Sequence, residues 1–320
     1  MKKSLPNCNI FAITGGEPLI FPKVVEEILT VFKGTHVKIS TNALKLDQHY
    51  LDLFKEHGNV SLCISLDGPT FAANKTRYPN QETFELVVKN IERALAAGFL
   101  VEISCVLNKN SMGEFPAFSE WIDRTWGAYL QQLVLIAYPI TTYTRKPGPE
   151  KDYLYDAAQA AQVASYIRAH VDDRKILQQT KEYFLDLASF FEGTLKKKRV
   201  CQKYSWCLTV EYVNFALWTS GNVLSYGCGT KGDKSLGIFN LDEQVDQSLL
   251  AERKADPLLT EYFQDGKGRC CFDCFTNWHM IDMFYAEKLK DSLPLWSDVY
   301  THKNHSVKPQ NRGAGKALTK

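Results

Sequence analysis

Four short polar runs carry the residue types that could hold a small ligand: "TGGEP" at 14–18, "STNA" at 40–43, "SLDGP" at 65–69 and "LNKN" at 107–110. Each follows an apolar, strand-like stretch. Glycines expose backbone N–H and C=O groups, a carboxylate attracts an ammonium, and hydroxyl and amide side chains suit a ribose or a carboxylate. Gly15, Gly16, Glu17 and Pro18 form the first of these, with Pro18 fixing the turn. Any one such run reads equally well as ordinary turn chemistry. Four at successive strand ends point to one shared rim.

A second group is chemical in a different way. Of nine cysteines, Cys8, Cys63 and Cys105 are scattered, and the other six fall between residues 201 and 274. A disulfide-stapled secreted domain would be shorter and denser in cysteine, so the cluster leans towards metal binding. Cys105 and Cys63 read as small buried hydrophobes, and Cys8 as a lone packed or solvent-side thiol.

The elements that must position the rim alternate regularly. Strands are expected at 9–14, 36–41, 60–66, 100–107 and 130–137. Helices are expected at 22–33, 47–57 and 81–97, the first with Pro22 at its start, the second with Asp47 as N-cap, and closed by Gly34, Gly58 and Gly98. Alternation of this kind predicts parallel βαβ units. The third and fourth strands place Ser61, Cys63, Ser65 and Asp67, and Glu102, Ser104 and Asn108, on one polar face. A closed eight-stranded barrel fills its interior with bulky apolar side chains instead. The expectation is a partial α/β barrel around a polar ligand, with a doubly wound open sheet as the alternative. Both put the ligand at the carboxyl ends of the strands.

The composition is that of an ordinary globular chain of 320 residues, 45% hydrophobic and 23% charged. The net charge of +2 suggests neither nucleic acid nor a membrane as partner. No run reaches the roughly 18 apolar residues of a membrane span, and no signal-peptide pattern opens the sequence, so the expected compartment is the cytoplasm.

"GGEPLI", "STNA", "SLDGPT" and the run "TFELVVKNIERALAAGF" at 83–99 resemble the radical SAM enzymes, in the subgroup with a C-terminal SPASM domain. The resemblance implies a partial (β/α)6-type barrel and S-adenosylmethionine (AdoMet) as cofactor. Its amino group would sit on the Gly15–Gly16–Glu17–Pro18 turn, and its ribose and methionyl carboxylate would fall to Thr41, Asn42, Ser65 and Asp67. Ala43 stands where the family usually has glycine. A [4Fe–4S] cluster reductively cleaves AdoMet in this family, giving a 5′-deoxyadenosyl radical. Its three cysteines come as C-x3-C-x2-C after the first strand, and these 320 residues contain no such run. Only five of the six strands are found as well. The expectation is therefore a barrel lacking its first βα unit, with a truncated sequence as the preferred reason over a split or degenerate protein. Taken literally, the chain would be inactive alone and would carry an unpaired edge strand.

"LTVEYVNFALWTSGNVLSYGCG" reads as two strands turning at Ser220–Gly221, flanked by Cys201 and Cys207 (C-x5-C) and by Cys228. With Cys271 and Cys274 this is similar to the SPASM pattern for auxiliary [4Fe–4S] clusters. Met280 and Phe284 stand where further cysteines would fall. One cluster on Cys201, Cys207 and Cys228 and a remnant at Cys271/Cys274, with His279, is implied; zinc and purely structural thiols remain alternatives. The implied organisation is a partial barrel over 1–145, a helical linker over 146–200, a small Cys-rich α+β SPASM-like domain over 201–300, and a disordered basic tail over 301–320. The implied function is modification of a peptide or protein, as in sulfatase maturation or ribosomal peptide processing, fed by a flavodoxin- or ferredoxin-type electron donor. A non-catalytic partner-binding descendant and a zinc-binding protein are the rival readings. No catalytic residue is identifiable.

Overall fold

The computed structural model describes residues 10–140 and 152–194, and the backbone of 215–217, 222–225 and 235–238. Five parallel strands make the main sheet: β1 (Ile10–Ile13), β2 (His36–Thr41), β3 (Val60–Ser65), β4 (Leu100–Leu107) and β5 (Leu133–Pro139). They lie in the order β1-β2-β3-β4-β5. This order has no reversal, so the doubly wound alternative, which needs a switch point, is excluded. Crossovers of the usual right hand in an unbroken strand order put the connecting helices on one side of the sheet.

Three crossover helices follow the expected boundaries closely. Helix α1 (Pro22–Val31) starts on proline and buries Val25 and Leu29. In α2 (Gln48–His57) the Asp47 carboxylate accepts from Tyr50 N, and Gly58 closes the helix at φ 88. In α3 (Gln81–Ala96) Asn80 is the N-cap, and the stripe Phe84, Val87, Ile91 and Leu95 is buried. A fourth helix, α4 (Phe115–Trp126), has no counterpart in the sequence reading. β5 starts three residues later than expected because residues 130–132 form a turn, with Gln132 N donating to Tyr129 O at 3.0 Å.

The core lies between the sheet and these helices. Val37, Ile39, Leu62, Ile64, Val101, Ile103, Leu133 and Leu135 are sealed from solvent. Helices α5 (Ala157–His170) and α7 (Lys181–Phe191), with the short α6 (Lys175–Gln178), add Val163, Ile167, Ile176, Tyr183 and Phe184 to the same core. The segment read as a linker thus contributes packing in its own right. α5 is fixed by a capping box in which Asp156 and Gln159 bond reciprocally.

A separate antiparallel sheet joins β6 (Phe215–Leu217), β7 (Asn222–Ser225) and β8 (Ser235–Ile238) in that order. Its β6–β7 register, Leu217↔Val223 to Phe215↔Ser225, matches the hairpin expected across Ser220–Gly221. The third strand was not foreseen. Cys8, Cys201, Cys207, Cys228, Cys270, Cys271, Cys274 and His279, and the terminal tail, lie outside the described residues.

Candidate functional site

The rim begins where β1 ends. Gly15 has φ 143, a conformation that a side chain would oppose, and a Cβ added at Gly15 or Gly16 would meet nothing within 4 Å. The backbone here borders open space among the described residues. Glu17 then turns inwards. Its Oε1 accepts from Leu19 N at 3.1 Å and from Thr41 Oγ1 at 2.6 Å, and its Oε2 accepts from Asn42 N at 2.7 Å. The carboxylate therefore bolts the β1 turn to the β2 turn, leaving the exposed backbone at Gly15 and Gly16 to meet a ligand. Tyr50 supports the same turn from below by donating to Leu19 O at 2.7 Å.

The β2 turn is as tightly held. Thr41 Oγ1, besides donating to Glu17, accepts from Ala43 N at 3.0 Å. Asn42 Oδ1 accepts from Leu44 N at 3.0 Å, closing an Asx turn. Thr41 and Asn42 thus sit where the sequence placed them, with their side chains engaged in shaping the turn.

At the end of β3, Ser65 is half-buried, and its hydroxyl makes no hydrogen bond among the described residues. Tyr78 donates its hydroxyl to Ser65 O. Asp67 is 1% exposed and fully engaged: Oδ1 accepts from Val106 N at 2.8 Å and Arg77 Nη2 at 3.3 Å, and Oδ2 from Arg77 Nε at 2.9 Å. Burial pushes the Asp67 carboxyl up, and the Arg77 ion pair and the Val106 amide pull against that shift. Burial alone would lower the Arg77 pKa, but the Asp67 charge outweighs it and keeps the guanidinium ionised. Arg77 is the rim residue missed in the sequence. Its signal was a basic residue ten positions after Asp67, which only the fold reveals as a partner. Gly68 is obligatory, since a Cβ there would lie 2.5 Å from Ala73 Cβ. Beyond β4, Ser111 Oγ donates to Val106 O and accepts from Asn108 N, so "LNKN" folds onto itself.

Below the rim, the polar face of the sheet is a connected network. Lys38 on β2 donates to Glu102 Oε2 on β4 at 2.6 Å, and Cys63 on β3, between them, donates its thiol to Glu102 Oε1 at 3.2 Å. Ser104 and Tyr138 share a hydrogen bond of 2.8 Å. Burial, reinforced by Glu102, pushes the Cys63 thiol up to about 12. Cys105 is fully buried, as expected of a small hydrophobe. Among the described residues no three of His, Cys, Asp and Glu converge as metal ligands. With Cys63 and Cys105 so engaged, the described residues do not fit an iron–sulfur cluster. The open glycine turn and the polar rim do fit AdoMet.

Residues 1–122 match the Radical SAM superfamily profile. No curated protein matches the chain. Solved structures share the fold: anSMEcpe with bound AdoMet, at 17% identity and TM-score 0.54, covers 94% of this chain and 87% of its own. The same protein with AdoMet and the Kp18Cys peptide aligns at 16% identity and TM-score 0.53, over 92% and 85%.

Proposed function

Taking residues 1–122 as a radical SAM superfamily segment, we propose that the chain binds AdoMet on the β1–β3 rim and serves in the modification of a peptide or protein substrate. The observation that carries this reading is the Gly15–Gly16 turn: its backbone faces open space while Glu17 is anchored behind it by three donors from the chain. The exposed carbonyls accept the AdoMet ammonium. Arg77, held charged by Asp67, would receive its carboxylate, and Ser65 at the end of β3 would offer a hydroxyl. The chemistry that bound AdoMet would supply, given one electron from a reduced iron–sulfur cluster, is hydrogen-atom abstraction.

The peptide class of substrate is supported by the fold shared with anSMEcpe, which binds a Kp18Cys peptide. A sulfatase-maturase-like or ribosomal-peptide reaction is the finer form of this reading, with a flavodoxin- or ferredoxin-type donor in the cytoplasm. Cys201, Cys207, Cys228, Cys271 and Cys274 are assigned to an auxiliary [4Fe–4S] site in a SPASM-like domain.

Iron, zinc and acid-labile sulfide analysis after anaerobic reconstitution tests the auxiliary site. Iron and sulfide in near-equal amounts, lost when Cys201 and Cys207 are replaced by alanine, is the expected result. Zinc without sulfide would replace the cluster assignment with a zinc site.

A further inference from the structure

We propose that Asn90, on α3 and outside the rim, is a positioning residue for AdoMet, acting through a strained turn; this rests on the AdoMet reading above. Ala43 is the residue other than glycine with a positive φ among the described residues, at 60°. For an L-residue this left-handed conformation is disfavoured by roughly tenfold in population or more. Such strain persists only where surrounding contacts over-determine it, and it gathers at ligand sites.

The contacts here are specific. Ala43 is fully buried, its N–H is taken by Thr41 Oγ1 at 3.0 Å, and its carbonyl accepts from Leu46 N at 3.3 Å and Asn90 Nδ2 at 2.8 Å. Asn90 is 2% exposed, and its Oδ1 accepts from Arg93 Nη1 at 3.2 Å. Its buried neighbours on the same helix, Phe84, Val87, Ile91 and Ala94, are apolar. An amide in that setting is explained by the Ala43 carbonyl it serves.

The consequence reaches the ligand in two steps. The left-handed turn aims Asn42 N–H and the Thr41 hydroxyl at Glu17. If Ala43 relaxes, Glu17 loses two of its three donors, and the Gly15–Gly16 backbone loses the anchor that sets its direction.

The test is AdoMet affinity and thermal midpoint for the wild type, Asn90→Leu, Ala43→Gly and the double variant. Asn90→Leu should weaken AdoMet about tenfold, the cost of the unheld conformation. Glycine adopts positive φ freely, so the double variant should recover most of that affinity while its midpoint stays as low as that of Asn90→Leu. Asn90→Ala serves in the same cycle if the leucine variant does not fold. Affinity that stays low in the double variant, or is unchanged in the single one, overturns the proposal alone. No binding by the wild type overturns the AdoMet reading, and this proposal with it.

Discussion

Lys38 Nζ lies 2.6 Å from Glu102 Oε2, although the two residues are 64 apart in sequence and on strands separated by β3. Their side chains are 7% and 2% exposed. The pair spans the polar face beneath the rim and ties β2 to β4 across Cys63. Removing one partner takes the buried counter-charge from the other, so Lys38→Met or Glu102→Leu alone should cost about 3–5 kcal/mol. The double variant should be far closer to the wild type, because the desolvation penalty disappears with both charges. Urea denaturation of the four proteins reads the cycle. Additive losses would mean that the two charges do not depend on one another.

His36 predicts a pH dependence. Burial, with the nearby Lys38 and His57 charges, lowers its pKa from 6.5 to about 4. Its Nε2 is paired with Ser61 Oγ at 2.7 Å. The charged form is disfavoured in the fold, so the unfolded chain binds a proton first as pH falls. The contribution is complete above about 6.5 and is lost as pH drops towards 4, amounting to about 2 kcal/mol by pH 5. The difference in unfolding free energy between the wild type and His36→Gln should shrink over that window. A constant difference from pH 7.5 to 4.5 would contradict the assignment.

Cys63 should be a poor nucleophile despite being half-buried rather than sealed. With its thiol pushed up to about 12, roughly one molecule in ten thousand carries the thiolate at pH 8. Site-resolved mass spectrometry after iodoacetamide treatment of the native chain should find Cys63 unmodified, and modified normally once urea is added. Rapid native alkylation would show that the thiol is not held against Glu102.

The parallel alternation, the strand ends and the first three helices were legible in the sequence because each depends on local signals: period-two runs, Pro22 and Asp47 at N-termini, glycines at C-termini. The rim was legible as a set of places. The roles within it were less so. Glu17 looked like a ligand carboxylate, and its partners Thr41 and Asn42 are 24 and 25 residues away, a distance that no local pattern encodes. Arg77 and Asn90 were invisible for the same reason: each gains meaning only from what a distant strand end presents to it. Helix α4 had no counterpart in the sequence reading, which named no element between the fourth and fifth strands; in the fold Pro116 stands in its first turn and Gly127 follows its last residue.

The central claim is that AdoMet lies against the Gly15–Gly16 turn, and Gly16→Val tests it most directly. A Cβ at Gly16 meets nothing within 4 Å among the described residues, so the variant should keep the wild-type thermal midpoint. Its side chain would stand where the cofactor lies. Equilibrium dialysis with labelled AdoMet should find one saturable site per wild-type chain and at least tenfold weaker binding, about 1.4 kcal/mol, in Gly16→Val. Equal affinity in the two proteins would place the cofactor elsewhere and contradict the account.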